Sequence, residues 1–318
     1  MNHTPEIKKI LTPVPLGSDC KIAIQQAMIF HEVYSSEIIL LHVETKFSLF
    51  HKLLRPGRLK KHIKRAKKKL KKYAKNYFGG KIPNFISIQV SSGELIQGIL
   101  LAARTTKCDL IIISKRERIV SKLNFLKNEN ADRLISGAVC PVLTISGKHT
   151  EKGIKNILIP IDITKKITSK AAWVKYLAKK FNAKVHVISV LDLDIPPLKS
   201  LAYRKALEIE TSIKKEGLEV NVELIKAKKQ PMHEVVLSHI HELKPDLVLM
   251  MTHQESILFD NYIGKFAGEI IHRSESPVFN LVPRKETLTG NLLDSFSTEK
   301  KIWHKNYVLG QSEIYDGT

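Results

Sequence analysis

Short runs of consecutive apolar residues alternate along this chain with longer stretches in which apolar residues return every three or four positions. The first kind has the length of a buried parallel strand, the second the spacing of an amphipathic helix. The run Lys9-Ile-Leu-Thr-Pro13 opens the pattern, and Asn156-Ile-Leu-Ile-Pro160 opens it again. Each is followed by a predicted helix, marked by Ile22, Ala23, Ala27 and Phe30 in the first case and by Ala171, Val174, Leu177 and Ala178 in the second. Each then enters a second strand, Glu37–Val43 or Lys184–Val190. The spacing from Pro13 to Val43 equals that from Pro160 to Val190, so strand, helix and strand match without a gap.

The correspondence continues. Asp109-Leu-Ile-Ile-Ile113 matches Asp246-Leu-Val-Leu-Met250, and Cys140-Pro-Val-Leu-Thr-Ile145 matches Ser276-Pro-Val-Phe-Asn-Leu281 as the last strand. The first half is ten residues longer between its second strand and Asp109 than the second half is before Asp246. An internal duplication explains these matches. Strands alternating with helices predict βαβ units and a parallel sheet covered on both faces. The expected organisation is one domain over residues 1–148, a second over 149–283, and a tail over 284–318, with Gly147–Ile154 as the linker. The tail has little periodicity beyond a short docking element expected near Ile302-Trp303 or Tyr307-Val308-Leu309.

With 43% hydrophobic residues in 318, each half can bury a core. The three cysteines, Cys20, Cys108 and Cys140, are scattered and odd in number, which suits small buried residues in a reducing compartment better than a disulfide framework. No apolar run approaches the roughly 20 residues of a membrane helix, and Met1–Ile10 holds no secretory signal; a cytoplasmic location is expected.

Charge changes the picture in one place. The formal net charge is +21, and no acidic residue occurs between Glu44 and Glu94. Residues 46–81 carry fifteen Lys or Arg. Within them Leu59, Ile63, Ala66, Leu70, Tyr73 or Ala74, and Tyr77 form an apolar stripe on a predicted helix whose remaining surface is cationic. Two readings stand together: a solvated helix packed on its own sheet, and an acidic partner (a nucleic acid or an anionic membrane surface) at Arg55–Lys75.

The order strand-Pro, helix, Leu-Leu-His-Val, Asp-Leu-Ile-Ile-Ile, Cys-Pro-Val-Leu resembles the universal stress protein family over residues 7–146, and again over 154–282. The resemblance implies two tandem doubly wound, parallel five-stranded sheet domains of the adenine nucleotide α-hydrolase-like type. It also implies that they pair through their last strands, Val142–Ile145 and Val278–Leu281, into an intramolecular pseudo-dimer, with further homo-oligomers open. Such pairing would cover two apolar edges that invite aggregation when bare; the alternative is that each is an ordinary central strand.

ATP-binding members of that family carry an Asp after the first strand and a loop after the fourth of the form Gly-x-x-Gly-(nine residues)-Gly-Ser/Thr. Its glycines admit phosphate to backbone N–H groups and lead into a helix N-terminus. By this resemblance the second half offers Asp162 after Pro160, an apolar wall of Val190 and Met250, and a loop of Met251, Thr252, His253 and Gln254 in place of Gly-x-x-Gly. Gly264 keeps the third glycine, and Lys265 stands for Ser/Thr. Asp162 also suits a helix-capping role. The first half has Pro15 for the Asp, and its loop, Ser114-Lys-Arg-Glu117 onward to Asn128, has no glycine. ATP is therefore a candidate ligand of the second half alone.

No other constellation is present. His239 and His241, two apart on a helix, point to different faces, and no Cys/His spacing of zinc type occurs. Gly17-Ser18-Asp19 suits a helix start, and no nucleophile–histidine–carboxylate set is placed by a motif. The expectation is a non-catalytic, stress-associated regulatory protein with degenerate nucleotide loops.

Overall fold

The computed structural model describes residues 5–16, 21–45, 56–115, 128–146, 153–161, 168–191, 201–251 and 263–281. The first half runs β1 (Lys9–Pro13), α1 (Lys21–Tyr34), β2 (Glu37–Glu44), α2 (Pro56–Tyr77), β3 (Ile86–Ser92), α3 (Leu95–Thr106), β4 (Leu110–Lys115), α4 (Asn128–Gly137) and β5 (Val142–Ser146). The second repeats it: β6 (Asn156–Pro160), α5 (Thr168–Phe181), β7 (Lys184–Leu191), α6 (Leu201–Lys214), β8 (Val220–Lys226), α7 (Met232–Leu243), β9 (Leu247–Met251), α8 (Lys265–Arg273) and β10 (Val278–Leu281). The strands form one sheet in the order β3-β2-β1-β4-β5-β10-β9-β6-β7-β8. Each half is thus a parallel five-stranded unit whose first strand lies beside its fourth.

Helices cover both faces. One buried cluster joins the sheet to α1, α2, α5 and α6 through residues such as Ile24, Leu70, Leu177 and Ile213. The other joins it to α3, α4, α7 and α8 through Ile99, Leu134, Val236 and Ile270. Both clusters run across the two halves. Among the described residues no helix is long and apolar enough to cross a membrane.

The halves meet through the antiparallel pair β5–β10, with Val278 opposite Thr144, Phe279 opposite Leu143 and Asn280 opposite Val142. Leu143 and Phe279 occupy equivalent places in the two repeats, so a pseudo-two-fold axis passes between them and the seam is isologous. Its side-chain bonds obey the same symmetry. Thr144 Oγ1 donates to the Val278 carbonyl at 3.3 Å, and its counterpart Asn280 donates through Nδ2 to the Val142 carbonyl at 2.9 Å. Beside the axis, α1 meets its counterpart α5: Phe30 lies edge-on to Phe181 at 5.2 Å, and Tyr34 stacks on Tyr176 at 5.2 Å. The linker residue Ile154 is buried.

Equivalent aspartates lock both repeats. Asp109 Oδ2 accepts the N–H groups of Lys8 and Lys9, both at 2.9 Å, and Asp246 Oδ2 accepts those of Lys155 and Asn156 at 2.8 and 2.9 Å. Each carboxylate therefore fixes the register of a first strand against a fourth. Hydrogen bonds to a charged acceptor are worth roughly 1.5–3 kcal/mol. We expect Asp109→Ala to lower unfolding free energy by about 2 kcal/mol in urea titration, and Asp109→Asn, which keeps one acceptor oxygen, by less than half of that.

Candidate functional site

In a sheet of this order the crossovers leave β1 and β4, and likewise β6 and β9, in opposite directions, which opens a crevice at the strands' C-terminal ends. The ladders open there. β6 pairs β9 only at Ile157–Leu247 and Leu158–Val248, yet β6 runs on to Pro160 and β9 to Met251. β1 pairs β4 only at Ile10–Leu110 and Leu11–Ile111, while β4 runs on to Lys115.

In the second half Pro160 is buried at the end of β6, and Ile161 continues to β7 through its N–H to the Ile188 carbonyl at 2.9 Å. Val190 is half-buried and Met250 is buried, and both belong to the cluster that contains α7 and α8. The wall expected from the sequence is thus brought together on one face. Gly264 is the N-cap of α8, with φ −59° and ψ 150° and no side-chain cap bond; Lys265 opens the helix and is exposed. A helix start with unpaired N–H groups favours anions. Asp162, Thr252, His253 and Gln254 lie outside the described residues, as do Gly17-Ser18-Asp19, Cys20, Arg55 and the tail.

The first half is built differently at the corresponding place. Lys115 ends β4, is only 8% exposed, and donates from Nζ to the Ile271 carbonyl in the last turn of α8, in the other half. Carbonyls at a helix C-terminus lack intrahelical donors and carry the negative end of the dipole, so an ammonium is suited to them. Burial pulls the Lys115 ammonium down from its ordinary 10.5 to about 8, and the nearby Asp132 carboxylate opposes that shift. Asp132 Oδ2 also lies 3.1 Å from His272 Nε2 of α8. Lys115, Asp132 and His272 therefore form a polar cluster between the halves. Pro15 is half-buried where the nucleotide-contacting Asp was sought.

Sequence reasoning did not find this cluster, since Lys115 and Ile271 are joined only by the pairing of the halves. It did place the cysteines: Cys108 and Cys140 are buried free thiols with Sγ atoms 3.5 Å apart. Their contact, then burial, holds the Cys140 thiol well above its ordinary range, so it stays protonated. His239 Nε2 sits 3.0 Å from Glu223 at the surface. No group of three His, Cys, Asp or Glu fit to hold a metal occurs among the described residues. A separate cavity of about 340 Å³ lies between α7 and the end of α8, where Arg273 is tied to Glu234 at 2.5 and 2.9 Å.

Comparison with known proteins agrees with the architecture. The universal stress protein family pattern matches twice, over residues 6–146 and 153–280. No curated protein matches the chain. Among solved structures, the chain is similar to a universal stress protein of Pseudomonas aeruginosa UCBPP-PA14, with 20% identity, a TM-score of 0.63, and 89% of this chain and 96% of that one covered. It is also similar to a universal stress protein of Archaeoglobus fulgidus DSM 4304, with 18% identity, a TM-score of 0.64, and 87% and 96% covered. At such identities the structures speak to fold, while the doubled family match covers most of the sequence. The chain belongs to the universal stress protein family, with two of its units fused in one polypeptide.

Proposed function

We propose that this protein is a non-catalytic, stress-associated regulatory module that acts by binding rather than turnover. The supporting observation is the first-half crevice, where the cation at the end of β4 is spent on the Ile271 carbonyl across the seam and a proline stands at the Asp position. A phosphate cradle needs backbone N–H groups that can approach the anion closely, and a loop without glycine resists the conformations that allow it. That crevice serves the joining of the halves.

A second reading is favoured by one feature of the other half. Gly264 opens α8 with no side chain over its first turn, and α8 shares a buried cluster with Val190 and Met250. An adenine nucleotide would lay its phosphates at that helix start, with Lys265 for charge and Asp162 as the carboxylate expected to contact it. Calorimetric titration with ATP and magnesium separates the readings. One site per chain, weakened at least tenfold by Asp162→Ala, supports the nucleotide reading. A flat trace supports a regulatory role through contacts alone. Two equal sites, or steady phosphate release, would overturn both.

A further inference from the structure

Helix α2 carries eleven Lys or Arg among its 22 residues and no acidic residue. All eleven are exposed, and among the described residues no carboxylate pairs with any of them. Its apolar stripe is consumed by the fold: Ala66, Leu70 and Ala74 are buried, the last two in the cluster with β2 and β3, and Tyr73 and Tyr77 pack against that cluster. At 100° per residue the cations sweep an unbroken arc of about 200° around the helix, over a length of about 33 Å. Lys60, Lys67 and Lys71 lie on one flank, and Arg58, Arg65 and Lys69 on the other.

The fold does not require this charge. The counterpart α6 covers the equivalent strand of the second half with a mixed surface, Arg204, Lys205 and Lys214 beside Glu208 and Glu210. In α2 the pairs Lys60–Lys64, Lys64–Lys68, Lys68–Lys72, Lys61–Arg65, Arg65–Lys69, Lys67–Lys71 and Lys71–Lys75 each set like charges at four-residue spacing, which destabilises a helix. The first turn adds cations where the helix dipole disfavours them. A surface that costs stability in one repeat and is absent from the other serves a partner.

We infer that α2 is a docking surface for duplex DNA, held by phosphate contacts without base reading. Three features choose this partner. An interfacial membrane helix buries an apolar face in the lipid, and that face of α2 is already on the sheet. A plane touches only part of a 200° arc, whereas the phosphate ridges beside the B-form major groove, about 12 Å apart, face both flanks of a helix lying between them. Stacking on single strands needs exposed aromatics, and Tyr73, Tyr77 and Phe78 are half-buried. Because β3 is the last strand at its end of the sheet, no further strand flanks α2 on its outer side among the described residues. Nine of the eleven cations are lysines, point charges suited to phosphate rather than to bidentate guanine contacts.

The test is fluorescence anisotropy with the full chain and a labelled random-sequence DNA duplex of about 20 base pairs, from about 20 to 200 mM NaCl. We expect micromolar or tighter binding at the low end. Five to six phosphate contacts would give a slope of about −5 in log K against log salt. The exposed set K61E/K64E/K68E/K72E should weaken binding at least 100-fold, with an unchanged circular dichroism spectrum and a melting temperature no lower than the parent's, while R204E/K205E on α6 leaves affinity unchanged. Duplex RNA, whose major groove is too deep and narrow for a helix, should bind at least tenfold more weakly. No binding at 20 mM NaCl, equal binding by the quadruple variant, tighter binding to phosphatidylserine vesicles, or equal affinity for duplex RNA would each overturn the inference. None of these readouts depends on the nucleotide crevice.

Discussion

Replacing Phe279 by alanine will lower stability by about 3–5 kcal/mol, a large part of what holds a typical folded domain together. Phe279 is fully buried on the pseudo-two-fold axis, opposite Leu143. Its ring stacks on Phe30 of α1 at 6.4 Å and meets Trp173 of α5 at 5.4 Å. It is therefore the side chain through which the first helix layers of both halves touch one seam. Removing it opens a cavity that neither layer can close without breaking its hold on the sheet. Phe279→Leu gives this position the residue found at the equivalent place in the first repeat, and should cost less than about 1.5 kcal/mol. Urea titration of the two variants checks both values. A loss under 1 kcal/mol for the alanine variant would mean that the seam is held by the ladder alone.

Lys115 makes stability rise with pH where most proteins gain nothing. Its folded ammonium releases its proton at about 8, whereas the unfolded side chain holds it to about 10.5. Between those values the unfolded chain binds more protons, so the unfolding free energy increases with pH; below about 8 both states are protonated and the slope from this group vanishes. The full difference corresponds to about 3 kcal/mol. Two groups act oppositely: Tyr34, whose phenol is pushed far above its ordinary range chiefly by burial, above pH 10, and Cys140, whose thiol is held up by its contact with Cys108 and by burial, above about pH 9, so the Lys115 contribution is read as the difference between the parent and a variant without the ammonium. Lys115→Met keeps the stem's bulk and removes the titration. The expected result of denaturation at pH 7, 8, 9 and 10 is that the parent gains about 2 kcal/mol relative to the variant, the opposing Cys140 slope being common to both. Equal slopes would place the ammonium in water rather than on the Ile271 carbonyl.

Much of this architecture was legible along the chain because it is encoded locally. A strand that ends in Pro13 or Pro160, and a helix with Ile22, Ala23, Ala27 and Phe30 on one side, need no distant partner to be recognised. The seam was legible through the family resemblance, which implied pairing of Val142–Ile145 with Val278–Leu281. Of the residues proposed for a nucleotide, Val190, Met250 and Gly264 were assigned through the family resemblance and lie at the ends of β7 and β9 and at the start of α8, while the loop between Met251 and Ile263 has its own sequence. What stayed hidden depends on chain segments that only topology unites. Asp109 and Asp246 were visible as a matched pair, but their work is done on the N–H groups of Lys8, Lys9, Lys155 and Asn156, each about 90 to 100 residues away. Lys115 looked like one more cation in a loop without glycine, because its acceptor belongs to the other repeat.

Covalent fusion across the Leu143–Phe279 axis frees the two ends of the sheet from identity. Two separate identical units joined by that seam would carry the same helix at both extremities. Here the extremities are free to diverge while their ratio stays one to one. With α2 packed over the strands at one end of the sheet and α6 over those at the other, the two ends of the sheet differ in electrostatic character among the described residues. The sheet can therefore carry a dipole component along its length, from β3 towards β8, which two-fold symmetry would cancel in a dimer of identical units.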